Sequence, residues 1–181
     1  MAPNPRNYVK STKKTILIVG EGPTEKAFLQ HIQALYIMRD CALVVKVESG
    51  SGGSPRSVIE KTVRLRGSRA YDQCFILLDK DKPIEIDKTL EKRIKQKPCI
   101  KILEATPCIE GLFLAILKFP NFSQSTAQST ICKKEFEQVY IRANKKTDKR
   151  SYATVFPRTM IEGCRNGVLE LNCILEAMGI S

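Results

Sequence analysis

TILIVGEGPTE, residues 15–25, joins an apolar segment to a carboxylate that is flanked by two glycines. The apolar part, residues 16–19, is mostly β-branched and has no polar side chain, which is typical of a short strand covered on both faces in a parallel sheet. The glycines on either side of Glu21 allow a tight turn, and Pro23 suits the first position of a helix. Apolar residues then recur at helical spacing over residues 27–36. The stretch therefore predicts a strand, a turn and a helix, with Glu21 at the carboxyl end of the strand.

The rest of the chain repeats this alternation of strand and helix. Short apolar runs predict further strands at residues 43–47, 74–78 and 100–103. Helical spacing and start signals predict helices at residues 55–65, 86–96, 133–141 and 166–178. Ser54 is expected to cap the first of these, and a further helix is expected to begin within residues 105–111 and to continue to Ile116. Such alternation is typical of a parallel sheet covered by helices. We therefore expect an α/β fold with a mostly parallel four-stranded sheet, helices on both sides and a C-terminal helical extension.

The length and charge of the chain limit its organisation and its partners. Its 181 residues are 43% hydrophobic, which suits one domain with a substantial core. We divide the chain into a basic arm at residues 1–14, a core at residues 15–118, and a basic loop with a helical extension at residues 119–181 packed on the same domain. Lys and Arg number 30 against 19 Asp and Glu, and the formal charge of +11 favours a polyanionic partner such as nucleic acid.

The cysteines and the apolar runs indicate the compartment. The 7 cysteines are odd in number and include no C-x-x-C pair, so neither a disulfide framework nor a zinc cluster is indicated. The chain starts without a hydrophobic signal region, and no apolar run approaches the roughly 18 residues of a membrane span. We therefore expect a cytoplasmic protein with reduced thiols and no membrane contact.

A second acidic motif follows the predicted strand at residues 74–78. A turn beginning at Asp79 can direct the carboxylates of Asp79 and Asp81 toward one ion. Paired carboxylates repel each other unless a cation neutralises them, and hard oxygen ligands suit Mg²⁺; a solvated turn is the alternative. Because ligands of parallel α/β sheets gather beyond the carboxyl ends of the strands, Glu21 and Glu110 are expected at the same edge. Glu110, near a helix start, can also simply complement the helix dipole.

Basic side chains lie beside these acids and in a later segment. Lys80 and Lys82 flank the aspartates, where they can balance phosphate charge or face solvent. Residues 142–152 carry five basic residues that can contact backbone phosphates, with Tyr152 available to stack on an exposed base; a solvated loop fits the pattern nearly as well. The predicted nucleic-acid contacts are Lys80, Lys82, Arg142, Lys145, Lys146, Lys149 and Arg150.

Three motifs, taken in order, resemble the RloB-like family of Toprim-fold proteins. They are Glu-Gly-x-Thr-Glu at residues 21–25, Asp-x-Asp at residues 79–81 and Pro-Cys-x-Glu at residues 107–110. The resemblance covers roughly residues 15 to 118. The catalytic residues that it implies are Glu21, Asp79, Asp81 and Glu110, of which Glu21, Asp79 and Asp81 would bind Mg²⁺ (or Mn²⁺). Glu110 would be either a further ligand or a partner that contacts the ligands.

The same resemblance implies an activity and a biological role. The activity is that of a metal-dependent Toprim-like endonuclease, which hydrolyses phosphodiester bonds of DNA or RNA. The role is anti-phage defence, with a protein partner from a defence system. Glu25 matches the second acid of the first motif, where it can be structural. The chain departs from the family pattern at Ile109 and at residues 111–112, where bulky aromatic residues are common.

Two other functions stay open at the level of sequence. An apolar strand before Asp79 and Asp81 also suits the nucleophile and acid of a haloacid-dehalogenase-like phosphatase. That interpretation leaves Glu21 unexplained and lacks a downstream Asp-Asp pair. A nucleic-acid-binding or sensor module with a degenerate Toprim site would carry the same basic surface as a nuclease.

Overall fold

The fold is described from a computed structural model, in which residues 13–38 and 41–180 are described. Its centre is a sheet of four parallel strands in the order β2-β1-β3-β4. The strands are β1 (Lys14–Gly20), β2 (Leu43–Ser49), β3 (Gln73–Asp79) and β4 (Ile100–Ala105). Every neighbouring pair is parallel, so the expected α/β fold with a mostly parallel four-stranded sheet is confirmed.

Helices cover both faces of the sheet because successive strand side chains point to opposite sides. On β1, Ile16 and Ile18 belong to one core cluster, and Leu17 and Val19 belong to the other. The helices are α1 (Pro23–Tyr36), α2 (Pro55–Ser68), α3 (Lys88–Lys95), α4 (Ile109–Ile116), α5 (Ser129–Val139), α6 (Arg158–Cys164) and α7 (Leu169–Ala177). Helices α2 and α3 pack on the second cluster, while α1, α4 and the later helices share the first.

The predicted helix starts follow from local chemistry. Pro23 and Pro55 open α1 and α2, as their fixed φ favours. The Ser54 side chain accepts a hydrogen bond from the Ser57 N–H, which satisfies one of the unpaired donors of the first turn. The predicted capping role of Ser54 is therefore confirmed.

The C-terminal extension packs on α1 and α4 through aromatic side chains. Phe113 of α4 contacts Phe28 of α1 at 4.8 Å between ring centroids and Phe136 of α5 at 4.9 Å. Tyr152, the last residue of the short 3-10 helix Lys149–Tyr152, and Phe156, which follows that helix, join the same cluster. The described part of the extension, residues 119–180, therefore adds to the core of the domain.

Two predictions in this extension were wrong in their bounds. Helix α5 begins at Ser129, four residues before the predicted start, because Cys132 and Phe136 already form its buried side. The single helix predicted at residues 166–178 begins only at Leu169, and a separate helix, α6, precedes it. A turn at residues 165–167 separates the two helices, and α6 is too short to show a clear apolar period.

The amino-terminal prediction lies mostly outside the described residues. Of the basic arm predicted at residues 1–14, residues 1–12 are not described, and Lys14 is the first residue of β1. Within the described part of the chain, no helix is both long and apolar enough to cross a membrane.

Candidate active site

The ends of two adjacent strands bring Glu21 and Asp79 together. Glu21 follows β1 directly, and Asp79 is the last residue of β3, which pairs with β1. The backbone N–H of Asp79 donates a hydrogen bond to Glu21 Oε2 at 3.2 Å, and the Glu21 N–H donates to the Leu77 carbonyl at 2.9 Å. Both side chains are buried, with Glu21 5% exposed and Asp79 7% exposed. The predicted meeting of these two carboxylates is observed.

Glu110 reaches the same place from the start of α4. Asp79 Oδ1 accepts a hydrogen bond of 2.9 Å from the Ile109 N–H, which ties the first turn of α4 to the end of β3. Glu110 follows and is 2% exposed. Ile109 and Leu112, two positions at which the sequence departs from the family pattern, are both buried. Aliphatic side chains therefore occupy these core positions beside Glu110.

A fourth carboxylate, Glu25, belongs to the cluster. Its Oε2 accepts a hydrogen bond of 2.6 Å from the Gly22 N–H, as an acidic residue in the first turn of a helix commonly does. Glu25 is 5% exposed, and burial raises its pKa against the opposing effect of its hydrogen bonds to backbone N–H groups. Sequence reasoning did not place Glu25 in the site, although its position in the first turn of α1 was the available signal.

The four carboxylates, Glu21, Glu25, Asp79 and Glu110, are called the acid cluster below, and their proximity affects protonation. Burial raises the pKa of Asp79 to about 8, with the negative charges of Glu25 and Glu21 adding to the effect and the Ile109 N–H opposing it. Carboxylates that cannot all be ionised without a counter-charge form a site that favours protons or cations.

Two lysines supply part of that counter-charge. Lys82 Nζ lies 2.7 Å from Glu21 Oε1, and its side chain is 50% exposed. Lys146 Nζ lies 2.7 Å from Glu110 Oε1 and 2.6 Å from Glu137 Oε1, and its side chain is only 12% exposed. Burial by itself would lower the pKa of Lys146, but its hydrogen bonds to the two glutamates outweigh that effect and raise it.

Asp81 and Lys80 lie outside the buried cluster. Both are exposed, and the Asp81 N–H donates to the Pro107 carbonyl at 3.0 Å. Lys80 Nζ lies 3.9 Å from Glu104, at the end of β4. The two aspartates of the Asp-x-Asp motif therefore have different surroundings, because the strand ends at Asp79 and the chain turns outward after it.

The basic segment at residues 142–150 divides into exposed and buried members. Arg142, Lys145, Lys149 and Arg150 are exposed, as nucleic-acid contacts would require, whereas Lys146 points inward to Glu110. The prediction that Tyr152 stacks on a base was wrong. Its side chain is 0% exposed, and its hydroxyl donates a hydrogen bond of 2.8 Å to the Lys146 carbonyl. No local pattern distinguishes a tyrosine that completes a core from one that faces solvent.

The donor set has the chemistry of a site for a hard divalent cation. Its carboxylate oxygens are the preferred ligands of Mg²⁺, and Glu110 Oε2 is buried with no hydrogen-bond partner among the described residues. The side chains are not arranged as a finished cage: over residues 13–38 and 41–180, no three His, Cys, Asp or Glu side chains are grouped so that they could hold a metal ion. Glu21 instead contacts Lys82, and Glu110 contacts Lys146. The residue types fit Mg²⁺, and binding of the ion at Glu21 would require the Glu21 carboxylate to give up its contact with the Lys82 ammonium.

Comparison with known proteins identifies the family. No curated protein and no solved structure matched the chain. A family model described as RloB-like protein matches residues 16–174, a range that includes most of β1, the other three strands and the acid cluster. The chain therefore belongs to the RloB-like protein family.

Proposed function

We propose that this protein is a Mg²⁺-dependent (or Mn²⁺-dependent) nuclease that hydrolyses phosphodiester bonds of DNA or RNA. The observation that carries the proposal is the placement of buried Glu21 and Asp79 side by side at the carboxyl ends of two adjacent parallel strands. This is the edge at which open α/β sheets bind their ligands. Exposed cations, which suit a polyanionic substrate, lie on the turn that follows and in the segment beside Glu110.

In the proposed reaction, Glu21 and Asp79 would hold the ion, with exposed Asp81 as the third proposed ligand. When bound, the ion would supply the positive charge that polarises the scissile phosphate, lowers the pKa of a water and stabilises the leaving oxygen. Lys82 is half exposed, so it can exchange its contact with Glu21 for one with a substrate phosphate. Glu110 Oε2, which has no hydrogen-bond partner among the described residues, can accept a hydrogen bond from a water or a hydroxyl group. Exposed Lys80, Arg142, Lys145, Lys149 and Arg150 bind the nucleic-acid backbone.

The resemblance of the chain to the RloB-like family adds a cytoplasmic role in anti-phage defence to the proposal. A protein partner from the same defence system belongs to this part of the proposal.

The acid cluster and the basic surface are equally compatible with DNA and with RNA, because both present the same phosphodiester to a metal site.

The test is cleavage of labelled DNA and of total RNA by the purified protein with Mg²⁺, Mn²⁺ or EDTA. Glu21→Gln and Asp79→Asn should abolish metal-dependent cleavage while nucleic-acid binding, measured in the same samples, is retained. Glu104→Gln is a matched control, because it removes a carboxylate that is exposed at the end of the neighbouring strand. Cleavage that continues in both site variants, or in EDTA, would contradict the proposal.

A second candidate is a nucleic-acid-binding or sensor module with a degenerate site. It is favoured by the two lysine contacts to Glu21 and Glu110 and by the lack of a ready-made metal cage within the described ranges. This module would bind nucleic acid without cleaving it, and EDTA would not change its affinity. The same experiment therefore distinguishes the two functions, provided that a defence partner is also tested.

A further inference from the structure

The two lysines at the acid cluster are held very differently. Lys82 lies on the exposed turn after β3, and half of its side chain is accessible to solvent. Lys146 is nearly buried and contacts two carboxylates at once, Glu110 from α4 and Glu137 from α5. The Lys146 ammonium is expensive to withdraw, because Glu110 would be left buried without its counter-charge.

The backbone of Lys146 is also fixed. Its carbonyl accepts the hydrogen bond from the Tyr152 hydroxyl, and the Tyr152 ring is fully buried. That ring lies 5.6 Å from Phe113 and 5.9 Å from Phe28, measured between centroids. Movement of the Lys146 backbone would therefore disturb the aromatic cluster that joins α1, α4 and the C-terminal extension.

These contacts determine what Glu110 can do. Its Oε1 is occupied by the Lys146 ammonium, and its Oε2 is buried without a hydrogen-bond partner in the described part of the chain. A carboxylate already neutralised by an ammonium has little attraction left for a divalent ion, and the ammonium repels that ion directly. The free oxygen can still accept a hydrogen bond from a water or a hydroxyl group.

We propose that Lys146 is the permanent counter-cation of Glu110, so that the acidic site takes a single divalent ion, at Glu21 and Asp79, and Glu110 stays outside its ligand set. Lys146 is then a positioning residue, which holds Glu110 Oε1 and leaves Oε2 without a hydrogen-bond partner among the described residues. The inference rests on the metal site of the proposed function and specifies its stoichiometry.

The test is a count of bound Mn²⁺ on the full chain after metal is stripped with EDTA and the EDTA is removed. Free Mn²⁺ is measured by its electron paramagnetic resonance signal during titration. The wild type should bind one ion per chain. Lys146→Met should bind two, because Glu110 and Glu137 both face the place that the ammonium vacates. Lys146→Arg, which keeps the charge, should bind one. Glu137→Gln, which leaves the pair of Lys146 with Glu110, should also bind one.

Affinity provides a second readout of the same inference. Loss of groups that merely support a metal ligand typically weakens binding by about 10- to 100-fold, so Glu21→Gln, which removes a proposed ligand, should weaken Mn²⁺ binding by at least that factor. Glu110→Gln should weaken it much less. An equal loss in the two variants would make Glu110 a ligand and overturn the inference.

The remaining outcomes separate this inference from the proposed function. Two Mn²⁺ ions bound per wild-type chain would overturn the proposed role of Lys146 but would still support the metal site of the proposed function. One ion on a folded Lys146→Met chain would also overturn that role. No bound Mn²⁺ on the wild type would refute the metal site and the inference together. Far-UV circular dichroism shows whether Lys146→Met is folded; if it is not, the counts for the wild type and Lys146→Arg decide.

Discussion

Replacement of Asp79 by Asn should change the pH dependence of stability. The Asp79 pKa lies near 8 in the folded chain because of burial and of the neighbouring Glu25 and Glu21 charges, against 3.8 for an unperturbed aspartate. The folded chain therefore keeps a proton that the unfolded chain has released. Since unfolding releases that proton, the stability of the metal-free protein falls as pH rises through the interval between the two values and becomes level above the higher one.

The magnitude follows from the same pKa values. One pKa unit corresponds to about 1.4 kcal/mol, so the full interval amounts to at most about 6 kcal/mol of stability. Between about pH 6 and about pH 9 the expected loss of stability is about 3 kcal/mol. Stability falls by about 1.4 kcal/mol per pH unit until the folded Asp79 carboxyl titrates near pH 8, and it changes little above that pH. Asn at position 79 can still accept the Ile109 N–H through its side-chain oxygen, and it carries no charge at either pH.

The assay is urea denaturation of both chains in EDTA at about pH 6 and about pH 9. We expect Asp79→Asn to gain about 3 kcal/mol relative to the wild type between the two conditions. Glu104→Gln, at an exposed position, should show no such gain. Mg²⁺ at the higher pH should stabilise the wild type and have little effect on Asp79→Asn. The same difference in stability between Asp79→Asn and the wild type at both pH values would refute the electrostatic account of the acid cluster.

Three further predictions concern the cap, the extension and the basic surface. Ser54→Ala should lower the free energy of unfolding by about 1 kcal/mol, since α2 loses its side-chain cap; no loss in urea denaturation would show that the cap is not used. Tyr152→Phe removes the hydrogen bond to the Lys146 carbonyl and should cost about 1 kcal/mol, measured by thermal unfolding, and a stability equal to wild type would argue against that bond. Lys149→Gln should weaken nucleic-acid binding and reduce the slope of log affinity against log salt by about 1. Lys95→Gln, a substitution at an exposed position of α3, is its control and should leave the slope unchanged. Equal slopes in the two variants would show that Lys149 does not contact the nucleic acid.

The strands and the first helices were predictable because their signals are local. The apolar run at residues 16–19 and the start signals Pro23 and Ser54 each act within a few residues of the chain, and the structure follows them. The helices after residue 119 were less predictable. Their apolar residues pack on α1 and α4, so their bounds depend on distant partners more than on their own period.

The sequence by itself determined that Glu21 and Asp79 would lie at one edge of the sheet, because parallel strands place their carboxyl ends there. The structure added that β1 and β3 are neighbours, which brings the two residues together. Only the tertiary structure decided which charges accompany them. Lys146 contacts Glu110 across 36 positions of sequence, and Tyr152 is buried against rings from α1, from α4 and from the segment before α6. Contacts of this kind arise when the extension packs on the core, and no spacing along the chain encodes them. For that reason a lysine predicted to contact nucleic acid instead neutralises a buried glutamate.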